Sequence, residues 1–254
     1  MKKLVYLAAT AAAAAVVATA GAITYGQPDG NGHPEVGALL APHAFSDGTW
    51  VECSGTLIAP KVFLTAAHCD LGLSRVEVTF ASTFDRATST TYWGTWHADP
   101  NYNQTGSDPQ DIAVVVLDKA PKGLTPARLP AAGSLNSVDG STQFTSVGYG
   151  AQSVTKGPGG HELHYQDVRY VSTGTLNSLT PSWLRISQNP STGNGGTCYG
   201  DSGGPNFLGA GADETTIVAG TTITGDMWCR SPTVDYRLDT ASARAFLGQY
   251  VTLP

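Results

Sequence analysis

Short runs of β-branched and aromatic residues recur along the chain and are separated by clusters of Gly, Pro, Asn, Asp and Ser. Such runs, bounded by turn residues, are typical of β-strands. The pattern predicts strands at residues 50–58, 75–80, 111–117, 143–147, 165–171, 184–187 and 215–224. Strands that are this short and this frequent indicate a sandwich or a barrel, so the pattern predicts an all-β protein.

The pattern is different in two places. Residues 119–133 contain three Pro, two Gly and four Ala, which indicates a linker between two halves of the chain. Near the C-terminus, Phe246, Leu247, Tyr250 and Val251 lie at the spacing of one helix face. The spacing predicts a short C-terminal helix, with Asp239 or Thr240 as its N-cap.

The first 22 residues have the layout of a secretory signal peptide. Lys2 and Lys3 precede an apolar, alanine-rich run over residues 4–20, and small residues follow it. The run is too short and too rich in Ala to predict a membrane anchor. We expect cleavage after Ala20 or Ala22 and a secreted, extracellular protein with no membrane partner.

The charge balance excludes one class of partner. The chain has a net charge of −6, which becomes −8 once Lys2 and Lys3 are removed, and no basic run occurs in it. Nucleic acid is therefore not an expected partner. Charged residues make up only 13% of the chain, which suits a β protein with many exposed turns.

Four cysteines, at positions 53, 69, 198 and 229, allow three disulfide pairings. The pairs that close short loops are Cys53–Cys69 and Cys198–Cys229. No CxxC and no clustered His/Cys pair with ligand spacing occurs, so zinc is not expected. No metal-loop pattern predicts another metal site, and no cofactor is expected.

The residues for serine-based acyl transfer are present. This chemistry needs a hydroxyl nucleophile, a base, a carboxylate that orients the base, and donors for an oxyanion. Gly200-Asp201-Ser202-Gly203-Gly204-Pro205 offers an exposed hydroxyl at Ser202 and free backbone N–H groups at Gly200 and Ser202. His68, beside Cys69 in Thr65-Ala66-Ala67-His68-Cys69, is the candidate base.

Asp111 is the candidate carboxylate, because it opens the apolar strand Asp111-Ile112-Ala113-Val114-Val115-Val116-Leu117. A buried carboxylate needs partners, and a histidine N–H is a suitable one. Asp108 lies three residues earlier, and its neighbour Pro109 predicts an exposed turn there.

The strings TAAHC, DIAVVVLD and CYGDSGGP resemble the three signatures of the trypsin/chymotrypsin family of serine peptidases, and they occur in the family's order. Gly148-Tyr149-Gly150 is similar to the family's Gly-aromatic-Gly segment. The resemblance implies two packed antiparallel β-barrels, at residues 23–128 and 129–254. It also implies a monomeric endopeptidase that cleaves protein or peptide substrates, for which protein inhibitors are candidate partners.

Two other serine hydrolase classes disagree with the chain order. An α/β-hydrolase places its histidine after its serine, but all six histidines precede Ser202. A subtilisin-type order needs an acid before His68, and none there lies in a motif like that of Asp111. The remaining alternative is a catalytically inactive family member that acts as a binding module.

The resemblance also implies an activation pair. In the family, a new N-terminal ammonium pairs with the aspartate before the nucleophile, which is Asp201 here. Ile23 is the matching N-terminus and directly follows Ala22. We therefore hypothesise that removal of the signal peptide exposes Ile23 and activates the enzyme.

The family's primary pocket maps onto three positions. Gly196, six residues before Ser202, occupies the floor position where a tryptic enzyme has an acid. Gly225 matches a pocket-wall glycine, and Thr233 stands where a second wall glycine is common. These residues predict a shortened, uncharged pocket for a small to medium apolar or aromatic side chain. Asp226 adds an acidic rim that could attract a basic side chain.

Overall fold

The computed structural model describes residues 23–254, and the predicted signal peptide lies outside the described residues. The described chain forms the strands β1 Gln27–Pro28, β2 Val36–Leu40, β3 Val51–Ala59, β4 Val62–Thr65, β5 Arg75–Thr79, β6 Thr91–Ala98, β7 Ala113–Leu117, β8 Gln143–Gly148, β9 Ser153–Gly157, β10 Gly160–His164, β11 Tyr170–Leu179, β12 Trp183–Ser187, β13 Pro205–Leu208, β14 Val218–Thr224 and β15 Thr233–Arg237. One α-helix, α1 Ala241–Leu247, follows them.

The strands build two closed antiparallel barrels. Six strands close the first barrel in the order β2-β3-β4-β7-β6-β5. The second barrel runs β11-β12-β15-β14-β13-β8 and closes through pairing of β8 with β11. β9 and β10 form a separate hairpin, and β1 pairs with β11 at the edge of the second barrel. The predicted all-β class with two packed barrels and a C-terminal helix is confirmed.

Most of the predicted strands exist, but several start later than the apolar runs do. β7 begins at Ala113 rather than at residue 111, because Gln110 has a φ of 48° and turns the chain there. β11 begins at Tyr170 rather than at residue 165, after Asp167 at a φ of 53°. The Asp167 carboxylate accepts the backbone N–H groups of Trp50 and Val51, so this segment joins the two barrels instead of extending a strand.

The C-terminal helix is capped by Thr240 and not by Asp239. The Thr240 side chain accepts the N–H of Ala243, whereas Asp239 binds the Arg237 guanidinium and the N–H of Leu135. Phe246 is buried on the predicted apolar face. No helix among residues 23–254 has the length and apolar character that crossing a membrane requires.

The largest apolar cluster lies between the barrels. It joins Val36 and Leu64 of the first barrel to Val147 and Phe207 of the second, and α1 packs onto it through Phe246. Burial of apolar surface on this scale stabilises the relative position of the barrels. The loops that meet along their shared edge carry the predicted site residues.

Candidate active site

His68 and Asp111 are joined by two hydrogen bonds. His68 Nδ1 lies 2.8 Å from Asp111 Oδ2, and the backbone N–H of His68 donates to Asp111 Oδ1 at 2.9 Å. The Asp111 side chain is only 2% exposed, whereas that of His68 is 22% exposed. A carboxylate that accepts from Nδ1–H leaves Nε2 free as a proton acceptor. The ring of His68 is therefore held in the orientation that a general base needs.

Local structure brings these two residues together. β4 ends at Thr65, and the 3₁₀ turn Ala67–Cys69 follows with His68 at its centre. The Cys53–Cys69 disulfide fixes this turn to β3. On the other side, the tight turn at Gln110 directs the Asp111 carboxylate inward just before β7.

Asp108 does not lie in an exposed turn, as its sequence context had predicted. It is half-buried, and its two carboxylate oxygens accept the hydroxyls of Tyr236 and Ser242. Asp108 therefore connects the first barrel to β15 and to α1.

Ser202 lies beside His68 at the mouth of two cavities, and both residues line both cavities. No hydrogen bond joins Ser202 Oγ to the His68 ring within the described part of the chain. Such bonds are often long in unliganded enzymes and shorten when substrate binds. The backbone N–H groups of Gly200 and Ser202 donate to no residue in the described range, so both are available to an oxyanion.

Ser54 of β3 holds the nucleophile loop at two points. Its N–H donates to the carbonyl of Ser202 at 2.8 Å, and its hydroxyl donates to the carbonyl of Gly200 at 3.1 Å. The same hydroxyl accepts the N–H of Tyr149 at 2.9 Å. Ser54 is fully buried, so these bonds are shielded from water.

Asp201 is a fully buried carboxylate. Its oxygens accept the N–H groups of Gly150 and Cys198, each at 2.8 Å. A Cβ atom at Gly148 would lie 2.2 Å from Oδ1, and one at Gly150 would lie 2.5 Å from Oδ2, so Gly148-Tyr149-Gly150 needs both glycines to accommodate the carboxylate. Burial raises the pKa of Asp201 to about 7, and no ion pair to it occurs among the described residues.

Ile23 and Thr24 lie against the second barrel. The Ile23 side chain is fully buried and packs with Tyr170. Thr24 forms an antiparallel bridge with Gly196, and its hydroxyl donates to the carbonyl of Cys229 at 2.7 Å. The predicted activation residue is thus adjacent to the predicted pocket floor.

The first cavity measures about 310 Å³ and extends from Ser202 between Thr197, Thr222 and Gly225. Of the three predicted pocket residues, Gly225 lines this cavity, whereas Gly196 and Thr233 are buried and do not line it. Asp226 also lines it, but its carboxylate accepts the N–H groups of Trp228, Arg230 and Ser231.

A polar network lies behind these walls. The Thr197 hydroxyl donates to the Thr233 hydroxyl at 2.6 Å, which in turn donates to Asp235 Oδ1 at 3.2 Å. Asn206 Nδ2 donates to the same oxygen and to the Thr222 hydroxyl. Burial raises the pKa of Asp235 to about 7, and its Oδ2 has no hydrogen-bond partner in the described chain.

The second cavity lies on the other side of the two candidate catalytic residues and measures about 430 Å³. Its walls carry the aromatic residues Phe45, Tyr165 and Tyr199 and the carboxylates Asp47 and Glu52. Burial, followed by the negative charges of Asp201, Asp47 and Glu52, raises the pKa of Tyr165 to about 12. Ser202 thus lies in a cleft that continues in both directions.

Both short-loop cysteine pairs are disulfide-bonded in the structure. Cys53–Cys69 connects β3 to the turn of His68, and Cys198–Cys229 connects the nucleophile loop to the segment after β14. Cys53, His68 and Cys69 place their potential metal-ligand atoms within 4.8 Å of one another. Both sulfurs belong to the disulfide, so this group lacks the thiolates that bind metal ions.

Sequence reasoning missed Ser54, Gln188 and Asp235, all of which lie behind the site. Asp235 had one available signal, because it is an acid inside the otherwise uncharged run Thr233-Val234-Asp235-Tyr236 of β15. Ser54 and Gln188 had none, because the bond of Ser54 to Tyr149 spans 95 residues and the Gln188 side chain packs against Gly196, outside its own strand.

Comparisons with known proteins agree with this architecture. A sequence model of the trypsin family, described as "Trypsin", matches residues 38–242. Brachyurin from Leptuca pugilator is 34% identical over 161 residues, which are 60% of this chain and 69% of brachyurin. Alkaline trypsin C from Manduca sexta is 30% identical over 175 residues, which are 60% of this chain and 63% of that protein.

Solved structures support the fold alone, since their sequence identity is low. A structure described as human heparin binding protein has a TM-score of 0.66 at 18% identity, covering 89% of this chain and 95% of that chain. A second, an atomic-resolution structure of HBP, has a TM-score of 0.65 at 18% identity, covering 90% and 96%.

Two closed six-stranded barrels with a histidine–carboxylate pair beside a serine in one cleft define the class of two-barrel serine hydrolases. The family match extends over more than half of the chain, and the chain belongs to the trypsin family of serine peptidases.

Proposed function

We propose that the chain is a secreted serine endopeptidase that hydrolyses peptide bonds through an acyl-enzyme, with Ser202, His68 and Asp111 as its catalytic triad. The observation that carries the proposal is the double hydrogen bond between His68 and Asp111 at the mouth of the cleft that holds Ser202. Protein and peptide substrates are the class on which the trypsin family acts.

The first chemical step follows from these positions. His68 Nε2 takes the proton of Ser202 Oγ as the oxygen attacks the scissile carbonyl carbon. Asp111 stabilises the imidazolium that results and keeps its Nδ1–H oriented. His68 then gives the proton to the leaving amine, and water reverses the sequence to release the acid.

The oxyanion of the tetrahedral intermediate is assigned to the N–H groups of Gly200 and Ser202. Both are unpaired within the described residues and belong to the loop that Ser54 and Asp201 hold in place. Donors that are oriented before reaction stabilise the developing charge without reorganisation. Each such donor typically contributes about 10²–10³-fold to kcat.

We also propose that residues 1–22 are a signal peptide and that its removal activates the enzyme by freeing Ile23. Two features support this proposal. Asp201 is buried with no cationic partner in the described range, although buried charges are normally paired. Ile23 has a φ of 54°, which is unfavourable for a β-branched residue while the preceding peptide bond is intact.

N-terminal sequencing of the secreted protein tests the activation step. A mature chain that begins at Ile23 is expected. A fully active mature chain that begins at Gly21 would contradict it, because two extra residues would displace the ammonium. This outcome would leave the triad assignment unaffected.

For the pocket we propose an uncharged primary site, because no acidic side chain among the described residues lines the depth of the first cavity. Asp226, the one carboxylate in its wall, is bonded to three backbone N–H groups in its own turn.

We also propose that the two barrels comprise residues 23–128 and 129–254 and that the protein is a monomer.

Hydrolysis of a mixed peptide library by the purified, mature protein tests the function. We expect cleavage that is lost in Ser202→Ala and His68→Ala variants and reduced by about 10⁴-fold in Asp111→Asn. A folded wild-type protein that cleaves nothing would favour the alternative, an inactive family member acting as a binding module.

A further inference from the structure

Gln188, directly after β12, has a side chain whose location no sequence motif explains. The residue is fully buried, and neither Oε1 nor Nε2 has a hydrogen-bond partner in the described chain. Leaving such groups unpaired costs about 1–3 kcal/mol each, so buried amides that serve only the fold are normally bonded. An unpaired buried amide next to a substrate cavity therefore indicates a role other than stability.

The amide occupies the space in which a side chain at Gly196 would lie. A Cβ atom at Gly196 would be 2.0 Å from Gln188 Oε1 and 2.4 Å from Gln188 Cβ. Position 196 must therefore be glycine while Gln188 has this conformation. Gln188, and not residue 196, therefore places a side chain at this point of the structure.

The other end of the amide reaches the cavity wall. A Cβ atom at Gly225, which lines the cavity, would be 3.7 Å from Gln188 Nε2, an ordinary van der Waals contact. Gln188 itself is not among the residues that line the cavity. The amide therefore lies directly behind the Gly225 side of the cavity wall.

We propose that Gln188 is a specificity-determining residue that closes the base of the primary pocket and restricts it to short, uncharged side chains such as those of Ala, Val and Thr. This inference rests on the proposed peptidase function and narrows it, since large aromatic side chains are excluded. Glutamine has no charge to pair with a Lys or Arg side chain. Its four heavy atoms beyond Cβ occupy the space next to Gly196 and behind Gly225 into which a longer substrate side chain would have to extend.

The test compares kcat/KM for two peptides that differ only in Ala or Phe at the residue before the scissile bond. Wild-type protein is expected to prefer Ala. Gln188→Ala opens the base of the pocket, and the Phe:Ala ratio should rise at least tenfold, since single methylene differences are discriminated about 10–200-fold. Gln188→Leu, of similar size but apolar, should keep the wild-type ratio, and so should Gln249→Ala at an exposed glutamine far from the site.

Three results would overturn the inference. The first is an unchanged Phe:Ala ratio in a Gln188→Ala variant that still cleaves the Ala peptide. The second is a preference of the wild-type protein for the Phe peptide over the Ala peptide, which is measured without any variant. The third is a strict Arg or Lys preference that Asp235→Asn abolishes, which would assign the pocket to Asp235. A wild-type protein that cleaves no peptide would instead contradict the proposed function itself, and this inference with it.

Discussion

The hydroxyl of Ser54 donates a hydrogen bond to the carbonyl of Gly200 at 3.1 Å, so a residue of the first barrel holds the loop that carries both candidate oxyanion donors. The bond is buried, and it is coupled to a second one in which the same hydroxyl accepts the N–H of Tyr149. Ser54 therefore positions the nucleophile loop without touching substrate.

Replacing Ser54 by Ala removes both bonds and leaves the Tyr149 N–H unpaired. We expect kcat to fall by about tenfold while KM changes little, because a loss of about 1.4 kcal/mol confined to the transition state corresponds to that factor. Steady-state kinetics on one peptide measures both constants. Ser172→Ala is the matched control, since the Ser172 hydroxyl is also buried but has no hydrogen-bond partner in the described chain, and its kcat should be unchanged. Equal losses in the two variants would contradict the role of Ser54.

The raised pKa of Asp201 predicts that the stability of the fold depends on pH. Its pKa in the folded protein, about 7, lies above the usual value of 3.8, so between these values the folded state keeps a proton that the unfolded state releases. This carboxyl therefore lowers the free energy of unfolding as pH rises from about 4 to 7. An ammonium at Ile23 would lower the pKa of Asp201 and remove this slope.

Chemical denaturation between pH 4 and 8 checks that prediction with two chains, one beginning at Ile23 and one retaining Gly21-Ala22. The longer chain should lose more stability with rising pH, and Asp201→Asn should remove the difference between the two chains. Identical pH profiles for the two chains would contradict pairing of Ile23 with Asp201.

The raised pKa of His33 also predicts a loss of stability as pH rises, but in a higher pH range than that of Asp201. Burial lowers the pKa of His33, but hydrogen bonds to Asp29 and Glu214 outweigh burial and raise it above 6.5. Glu35 also lies near the ring, and Arg169 binds the far side of Asp29. The stabilisation is complete below the unfolded pKa of about 6.5 and is lost as pH rises through the raised folded value.

Thermal denaturation of a His33→Ala variant at pH 5.5 and pH 9 tests this interaction. The variant should be less stable than wild type at both values, with the larger difference at pH 5.5. His43→Ala, at an exposed histidine, should show no such pH dependence. If His33→Ala lowered the stability by the same amount at pH 5.5 and pH 9, the ion pairs of His33 would contribute nothing to stability.

The two disulfides should differ in their effects. Cys198–Cys229 closes a separation of 31 residues and Cys53–Cys69 one of 16. Removing the disulfide of the longer loop should therefore lower the free energy of unfolding by roughly 0.6 kcal/mol more than removing the other, each loss being about 3–4 kcal/mol.

The two disulfides should also differ in their effects on kinetics. Cys198 and Cys229 line the first cavity, so their double Ala variant should raise KM. Loss of Cys53–Cys69 should chiefly lower kcat, because Cys69 adjoins His68. Denaturation and steady-state kinetics on the two double variants check both points.

Local patterns predicted the all-β class, whereas the two barrels were implied by the resemblance of TAAHC, DIAVVVLD and CYGDSGGP to the trypsin/chymotrypsin family, and the triad candidates rest on those motifs and their order. β-branched runs specify strands, and Gly200-Asp201-Ser202-Gly203-Gly204-Pro205 specifies a glycine-rich turn whatever surrounds it. The strand starts at residues 113 and 170 could not be predicted, because left-handed residues at Gln110 and Asp167 end the extended runs in favour of tertiary hydrogen bonds.

The depth of the pocket could not be predicted for a similar reason. Position 196 is identifiable as the pocket floor by its spacing from Ser202, but the Gln188 side chain that lies against it comes from the end of β12, which no local pattern indicates. The choice between Asp239 and Thr240 as helix cap was likewise open, because both residue types cap helices and only the position of Arg237 decides between them.

Reaction of the folded, mature protein with a serine-directed phosphonate, followed by peptide mapping, tests the central claim most directly. We predict one label per chain, on Ser202, formed at a rate that falls by at least 10³-fold in His68→Ala while circular dichroism stays unchanged. Absence of a label on folded wild-type protein, or equally fast labelling of Ser202 without His68, would contradict the triad.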